Sequence, residues 1–170
     1  KAGLADLGDE SFREPLRRLL RSLAEEAHLS ASGLASQRAR VVDSLVTRLM
    51  TQAAFQRHPE ILDERIEDPV VIVGLARTGT TMLHRLLASG GDFQAAAWWE
   101  VRYPAPFPGS DWRRADPRIP AARAEVAMIL EHVPVLAAIH PWDAEGADEE
   151  IMLIEHSFLS HVPESAANVP

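Results

Sequence analysis

The stretch VVIVGLARTGTTMLHRLL, residues 70–87, constrains the fold more than any other part of the chain. Val70, Val71, Ile72 and Val73 are consecutive branched apolar residues without alternation, which predicts a strand covered on both faces, as in a parallel sheet. Gly74 and Gly79 bracket a turn, and Leu83, Leu86 and Leu87 then predict a helix over residues 79–89. A strand, a glycine turn and a helix N-terminus aim backbone N–H groups and the positive end of a helix dipole at one point. An anion suits that point. The spacing approaches the phosphate-loop pattern G-x-x-x-x-G-K-[ST], with Gly74, Gly79 and Thr81 in register and Thr80 where the lysine belongs. Two glycines alone read as a tight turn. Arg77, Thr78, Thr80 and Thr81 on the same turn favour phosphate binding, with Arg77 as a planar fork of donors in place of the lysine.

Helices are expected on either side. Ser11 with Glu14 fits a capping box and Pro15 a first turn, so that Leu16, Leu19, Leu20, Leu23 and Ala27 predict a helix over residues 11–28. A second runs over 32–57, with Val41, Val42, Leu45, Leu49 and Ala53 on one side and Arg38, Arg40, Arg48 and Arg57 on a solvated face. His58-Pro59 ends it. Past the loop, Gly90-Gly91-Asp92 stops the third helix, and residues 93–99 are a candidate second strand that completes a βαβ unit. Pro104, Pro106, Pro108, Pro117 and Pro120 mark residues 102–120 as a long surface loop. Further helices are expected over 118–133 and 148–161.

With 17 Lys plus Arg against 25 Asp plus Glu, the net charge of -8 opposes long-range attraction to nucleic acid, so an anionic ligand needs a local cluster. Cysteine is absent, which removes thiolate chemistry and disulfides. There is no apolar run of 18 residues and no basic-then-apolar N-terminus, so the expectation is a cytoplasmic chain without membrane span or signal peptide. Glu155, His156 and His161 invite a zinc reading, but the two histidines are five apart, not the four that share a helical face, and no metal is expected. Trp98, Trp99, Trp112 and Trp142 read either as core residues or as the lining of a pocket for an apolar acceptor.

Arg77-Thr78-Gly79-Thr80-Thr81, after a strand and opening a helix, resembles the 5′-phosphosulfate loop of the sulfotransferases, in the bacterial branch related to the tyrosylprotein sulfotransferases. Glu100-Val101-Arg102 resembles the Glu-x-Arg that follows the second strand in members with arginine in the loop. The resemblance implies 3′-phosphoadenosine 5′-phosphosulfate as donor, a small-molecule or lipid hydroxyl as acceptor, and no metal. It implies that Arg77 contacts the leaving oxygen, that Thr78, Gly79, Thr80 and Thr81 hold the 5′-phosphate, and that Glu100 takes the acceptor's proton. His140, before Pro141, is similar in place to the catalytic histidine of cytosolic sulfotransferases and is the rival base. Each has a plainer reading, Glu100 as an ion-pair partner of Arg102 and His140 as a loop residue bonded to backbone.

The sequence departs from the family in two ways. Ala76 replaces the usual proline, and neither the Arg and Ser that grip the 3′-phosphate nor the glycine-rich basic segment over the adenine is visible. The resemblance covers residues 68–170, the first half of such a fold. It implies an α/β architecture, a P-loop-like parallel sheet flanked by helices and incomplete here. Residues 1–66 are then an N-terminal helical extension, and 67–170 the N-terminal part of the nucleotide-binding domain. A P-loop kinase with a degenerate loop and a non-catalytic binding fragment are the competing readings.

Overall fold

The computed structural model of the chain describes residues 3–75, 77–167 and 169; Ala76 lies outside the described residues. The chain divides into two compact units, one of Lys1–Arg57 with Ile151–Pro170 and one of His58–Glu150. No helix among the described residues is long and apolar enough to cross a membrane.

In the first unit a turn at Glu10–Phe12 leads into α1, Arg13–Glu25. The expected capping box is replaced by an earlier cap. Asp9 Oδ1 accepts the Ser11 N–H at 2.8 Å, and Glu14 turns instead to Arg18, whose Nε lies 3.1 Å away. An aspartate two residues upstream satisfies the first free donors, so Ser11 is not needed as the cap. Helix α2, Ala31–Arg57, stops before His58-Pro59 as expected. Its arginines are not all on a solvated face. Arg40 pairs with the buried Glu155, and the Arg48 guanidinium stacks 4.3 Å from the Phe12 ring centroid while donating to the carbonyls of Leu7 and Asp9, each at 3.0 Å. Planar guanidinium groups satisfy several carbonyls at once, which is why arginine serves here.

The helix expected over 148–161 is cut to α7, Ile151–Glu155. Phe158 takes a left-handed φ of 59°, which breaks the helical path and brings its buried ring to 6.4 Å from that of Phe12. The unit closes with α8, Val162–Ala167, where Ala167, Val169 and Ala27 form a small core with Leu19, Leu23 and Leu29.

The second unit holds α3 (Thr80–Ser89), α4 (Trp98–Arg102), α5 (Arg118–His132) and the short α6 (Leu136–Ile139). Trp98, Ala122, Val126 and Ala144 make its core, with Trp99, Tyr103, Leu130 and Trp142 packed against them. Helix α4 begins where a strand was expected to end. The Glu100 carboxylate reaches back to accept the Ala97 N–H at 2.8 Å, half of a capping box, and this starts a helix inside the aromatic run. Residues 96–99 instead meet 144–148 in an antiparallel bridge, Ala97 to Ala147, flanked by Trp98 N–H to Gly146 O and Asp148 N–H to Ala96 O, both 3.0 Å.

The expected parallel sheet is not formed among the described residues. Residues 70–73 make no ladder, and Val71 and Val73 are 73% and 89% exposed. On α3, Leu83 and Leu86 are exposed rather than covered. A run that is apolar on both faces needs neighbouring strands, and the only bridge described is the antiparallel one, which does not include it.

Candidate active site

The loop after residue 73 is built on two left-handed residues, Arg77 at φ 68° and Gly79 at φ 90°. Gly79 pays no steric penalty there, whereas Arg77 does, and such strain gathers at ligand loops. Alternation of left-handed backbone with a helix start turns successive N–H groups toward one concavity. The first helical bond of α3 is Leu83 N–H to Gly79 O at 3.0 Å, so the N–H groups before it have no carbonyl within the helix. Thr78 Oγ1 donates to Leu75 O at 2.6 Å and closes the turn. A Cβ on Gly74 would lie 2.8 Å from Thr80 Cγ2 and 2.9 Å from Thr78 Oγ1, so the loop wraps tightly over that glycine.

From the loop and α3, three side chains four residues apart reach the segment 139–149. Arg77 Nη1 donates to Ile139 O, Thr81 Oγ1 to Glu149 Oε1 at 2.8 Å, and Arg85 to Ala147 O at 3.1 Å and Pro141 O at 2.6 Å. That segment carries His140, whose Nε2 lies 3.1 Å from Asp148 Oδ2 and whose ring meets Trp142 edge-on at 5.3 Å. It also bridges to Ala97, the residue whose N–H Glu100 holds. Of the residues singled out by sequence, Arg77, Thr81 and His140 are therefore joined through 139–149, and Glu100 borders the same segment through Ala97. Arg102 donates its Nε to Glu125 at 3.0 Å.

Sequence reading missed Arg85, Asp148 and Glu149. The fourfold spacing of Arg77, Thr81 and Arg85 was there to be read, as was the acidic run Asp148-Glu149-Glu150; nothing local linked the two. Of the tryptophans, Trp98 is core at 2% exposure, Trp99 lies under the Arg118 guanidinium at 4.6 Å, and Trp112 is exposed beside Arg113. No three His, Cys, Asp or Glu side chains among the described residues are grouped so that they could hold a metal ion.

The sulfotransferase family profile matches residues 69–170, which include the loop, α3 and the 139–149 segment. The chain belongs to the sulfotransferase family. Two solved sulfotransferase structures share its fold. STF1 of Mycobacterium tuberculosis H37Rv is 33% identical with a TM-score of 0.80, over 99% of this chain and 47% of that one. STF9 of Mycobacterium avium is 28% identical with a TM-score of 0.79, over 96% of this chain and 42% of that one. This sulfotransferase chain thus spans less than half the length of either. No curated protein matches it.

Proposed function

We propose that the protein transfers a sulfuryl group from 3′-phosphoadenosine 5′-phosphosulfate to a hydroxyl acceptor by in-line displacement. The observation that carries the reading is the loop itself: a glycine with no room for a Cβ beneath Thr78 and Thr80, left-handed turns at 77 and 79, and an arginine three residues before Thr80, which fills the lysine position of a triphosphatase loop. Those residues fit a 5′-phosphate. Thr78, Gly79, Thr80 and Thr81 hold it through backbone N–H groups, joined by the Thr80 hydroxyl, and Arg77 stabilises charge developing on the leaving oxygen. A neutral SO3-like group needs less charge neutralisation than a γ-phosphate, so the chemistry proceeds by positioning and electrostatics without a metal.

The acceptor's proton goes to His140, which lies one residue from the carbonyl that Arg77 holds. Glu100, the base implied by the family resemblance, is the second reading, favoured by its place beside the bridged pair Ala97 and Ala147. The exposed run at 70–73 serves as a strand of a parallel sheet in the whole protein, with residues 1–66 as a helical extension to the nucleotide-binding domain from 67. The half-exposed Trp112 is a candidate contact for an apolar acceptor.

Calorimetry tests the donor class. 3′-phosphoadenosine 5′-phosphate is expected to bind in preference to ATP with magnesium, and preference for ATP would favour a kinase and sink the proposal. Arg77→Ala is expected to lower sulfuryl transfer by the full-length protein by roughly 10²–10³, the usual cost of losing one donor to developing charge. His140→Asn and Glu100→Gln then separate the two bases: the true one loses kcat with donor affinity kept. Nucleotide binding without transfer would leave a non-catalytic binding fragment.

A further inference from the structure

We propose that Asp148 is a positioning residue that fixes His140 in one tautomer, leaving Nδ1 as the proton acceptor. The inference rests on the sulfuryl-transfer reading for its role, though its geometry stands apart from the donor.

Asp148 is 6% exposed, and a buried carboxylate must have its oxygens engaged. Oδ1 accepts the Glu149 N–H at 2.8 Å; Oδ2 faces His140 Nε2 at 3.1 Å and Arg85 Nη2 at 3.7 Å. Its own N–H is held by Ala96 O at 3.0 Å. The residue is therefore held by backbone at its main-chain N–H and at Oδ1, with a guanidinium from α3 beside Oδ2. An ionised carboxylate only accepts, so the proton between it and the imidazole belongs to Nε2. A neutral His140 then carries its lone pair on Nδ1. Contact with Trp142 at 5.3 Å holds the ring plane. In the reaction, the acceptor oxygen bonds to sulfur as its proton passes to Nδ1. The bond from sulfur to the bridging oxygen breaks, and that electron pair leaves with 3′-phosphoadenosine 5′-phosphate. The imidazolium so formed lies against Asp148.

Asparagine at 148 reverses the arrangement. With its oxygen kept on the Glu149 N–H, its amide donates toward His140, and Nε2 must accept; turned the other way, two donors would meet at Glu149. The expected result is that His140 in the 15N-labelled 170-residue chain, observed by long-range proton–nitrogen correlation where the ring is neutral, is a single Nε2–H tautomer. In Asp148→Asn it is expected to switch to mainly Nδ1–H, and in Asp148→Glu to keep Nε2–H. An unchanged tautomer in a folded Asp148→Asn chain would overturn the proposal. If that variant does not fold, the wild type decides: a mixture of tautomers, as in a free histidine, overturns it equally. In the full-length protein Asp148→Asn is expected to lower kcat by at least tenfold with the KM for donor unchanged, and Asp148→Glu to restore part of it. Failure to bind 3′-phosphoadenosine 5′-phosphate would overturn the sulfuryl-transfer reading while leaving the tautomer result intact.

Discussion

Within the second unit, α4 with α5 and the segment 70–89 treat their apolar residues in opposite ways. Trp98 and Val101 on α4 and Ala122 and Val126 on α5 are buried, while Val71, Val73, Leu75, Met82 and Leu86 are exposed. The polar groups divide the other way. Around α4 and α5 they brace the packing, as Arg118 does between Asp116 and the Tyr103 carbonyl; from the loop and α3 they converge on 139–149. The difference teaches that a segment's order need not come from its own apolar face. The loop and α3 are placed by Arg77, Thr81 and Arg85, and their apolar residues await cover that these 170 residues do not supply among the described positions.

The largest expected effect tests that contrast directly. Trp98→Ala removes a ring at 2% exposure from the centre of the core and is expected to cost about 3–5 kcal/mol of unfolding free energy. Leu86→Ala, at 65% exposure, is expected to change stability by no more than about 0.5 kcal/mol in this chain. Urea denaturation of both variants measures it. A large loss at Leu86 would mean that α3 is packed in solution and would erase the comparison.

The helices were legible because their spacing is local. Residues 32–57 and 118–133 were read nearly as they fold, since periodic apolar residues and the proline stops act within a few residues. The strand at 70–73 was legible only as a need for neighbours, because a ladder depends on another segment. At 93–99 the aromatic pattern was overruled by one side chain, Glu100, closing on Ala97. Arg77 and Thr81 stand out in the sequence by their spacing around Gly79. Their union with His140, Asp148 and Glu149 could not be read, because contacts across some sixty residues leave no periodic trace.

A middle-sized effect sharpens what is rigid in the open segment. Gly74→Ala puts a methyl group 2.8 Å from Thr80 Cγ2 and 2.9 Å from Thr78 Oγ1, closer than such atoms approach, so the loop must shift. Overpacking of this kind costs about 1–3 kcal/mol. Since the residues around it hold little apolar packing, the cost is expected to fall on ligand binding rather than on unfolding. Affinity for 3′-phosphoadenosine 5′-phosphate should drop roughly tenfold or more, with the thermal midpoint little changed. Equal affinity in the variant would show that the loop yields, and that the tight contact does not shape the proposed phosphate site.

The smallest effect lies in the packed half and depends on pH. Asp116 accepts three bonds from the Arg118 side chain, from Nε to both Oδ1 and Oδ2 and from Nη2 to Oδ2 at 2.6 Å, and Arg118 in turn covers Trp99. The hydrogen bond from Arg118 holds the Asp116 carboxyl below its ordinary value, outweighing the opposing effect of burial. A depressed carboxyl stabilises the folded state above its unfolded pKa of about 3.9, and the contribution is lost as pH falls through the folded value. Asp116→Asn is therefore expected to cost about 1 kcal/mol at pH 7 and progressively less below about pH 4, as the wild type loses the same charge. Urea midpoints of both proteins from pH 7 to pH 3 should converge. Parallel curves across that range would mean that the ion pair does not brace the α4 and α5 packing, and that apolar burial alone separates this half from the open one.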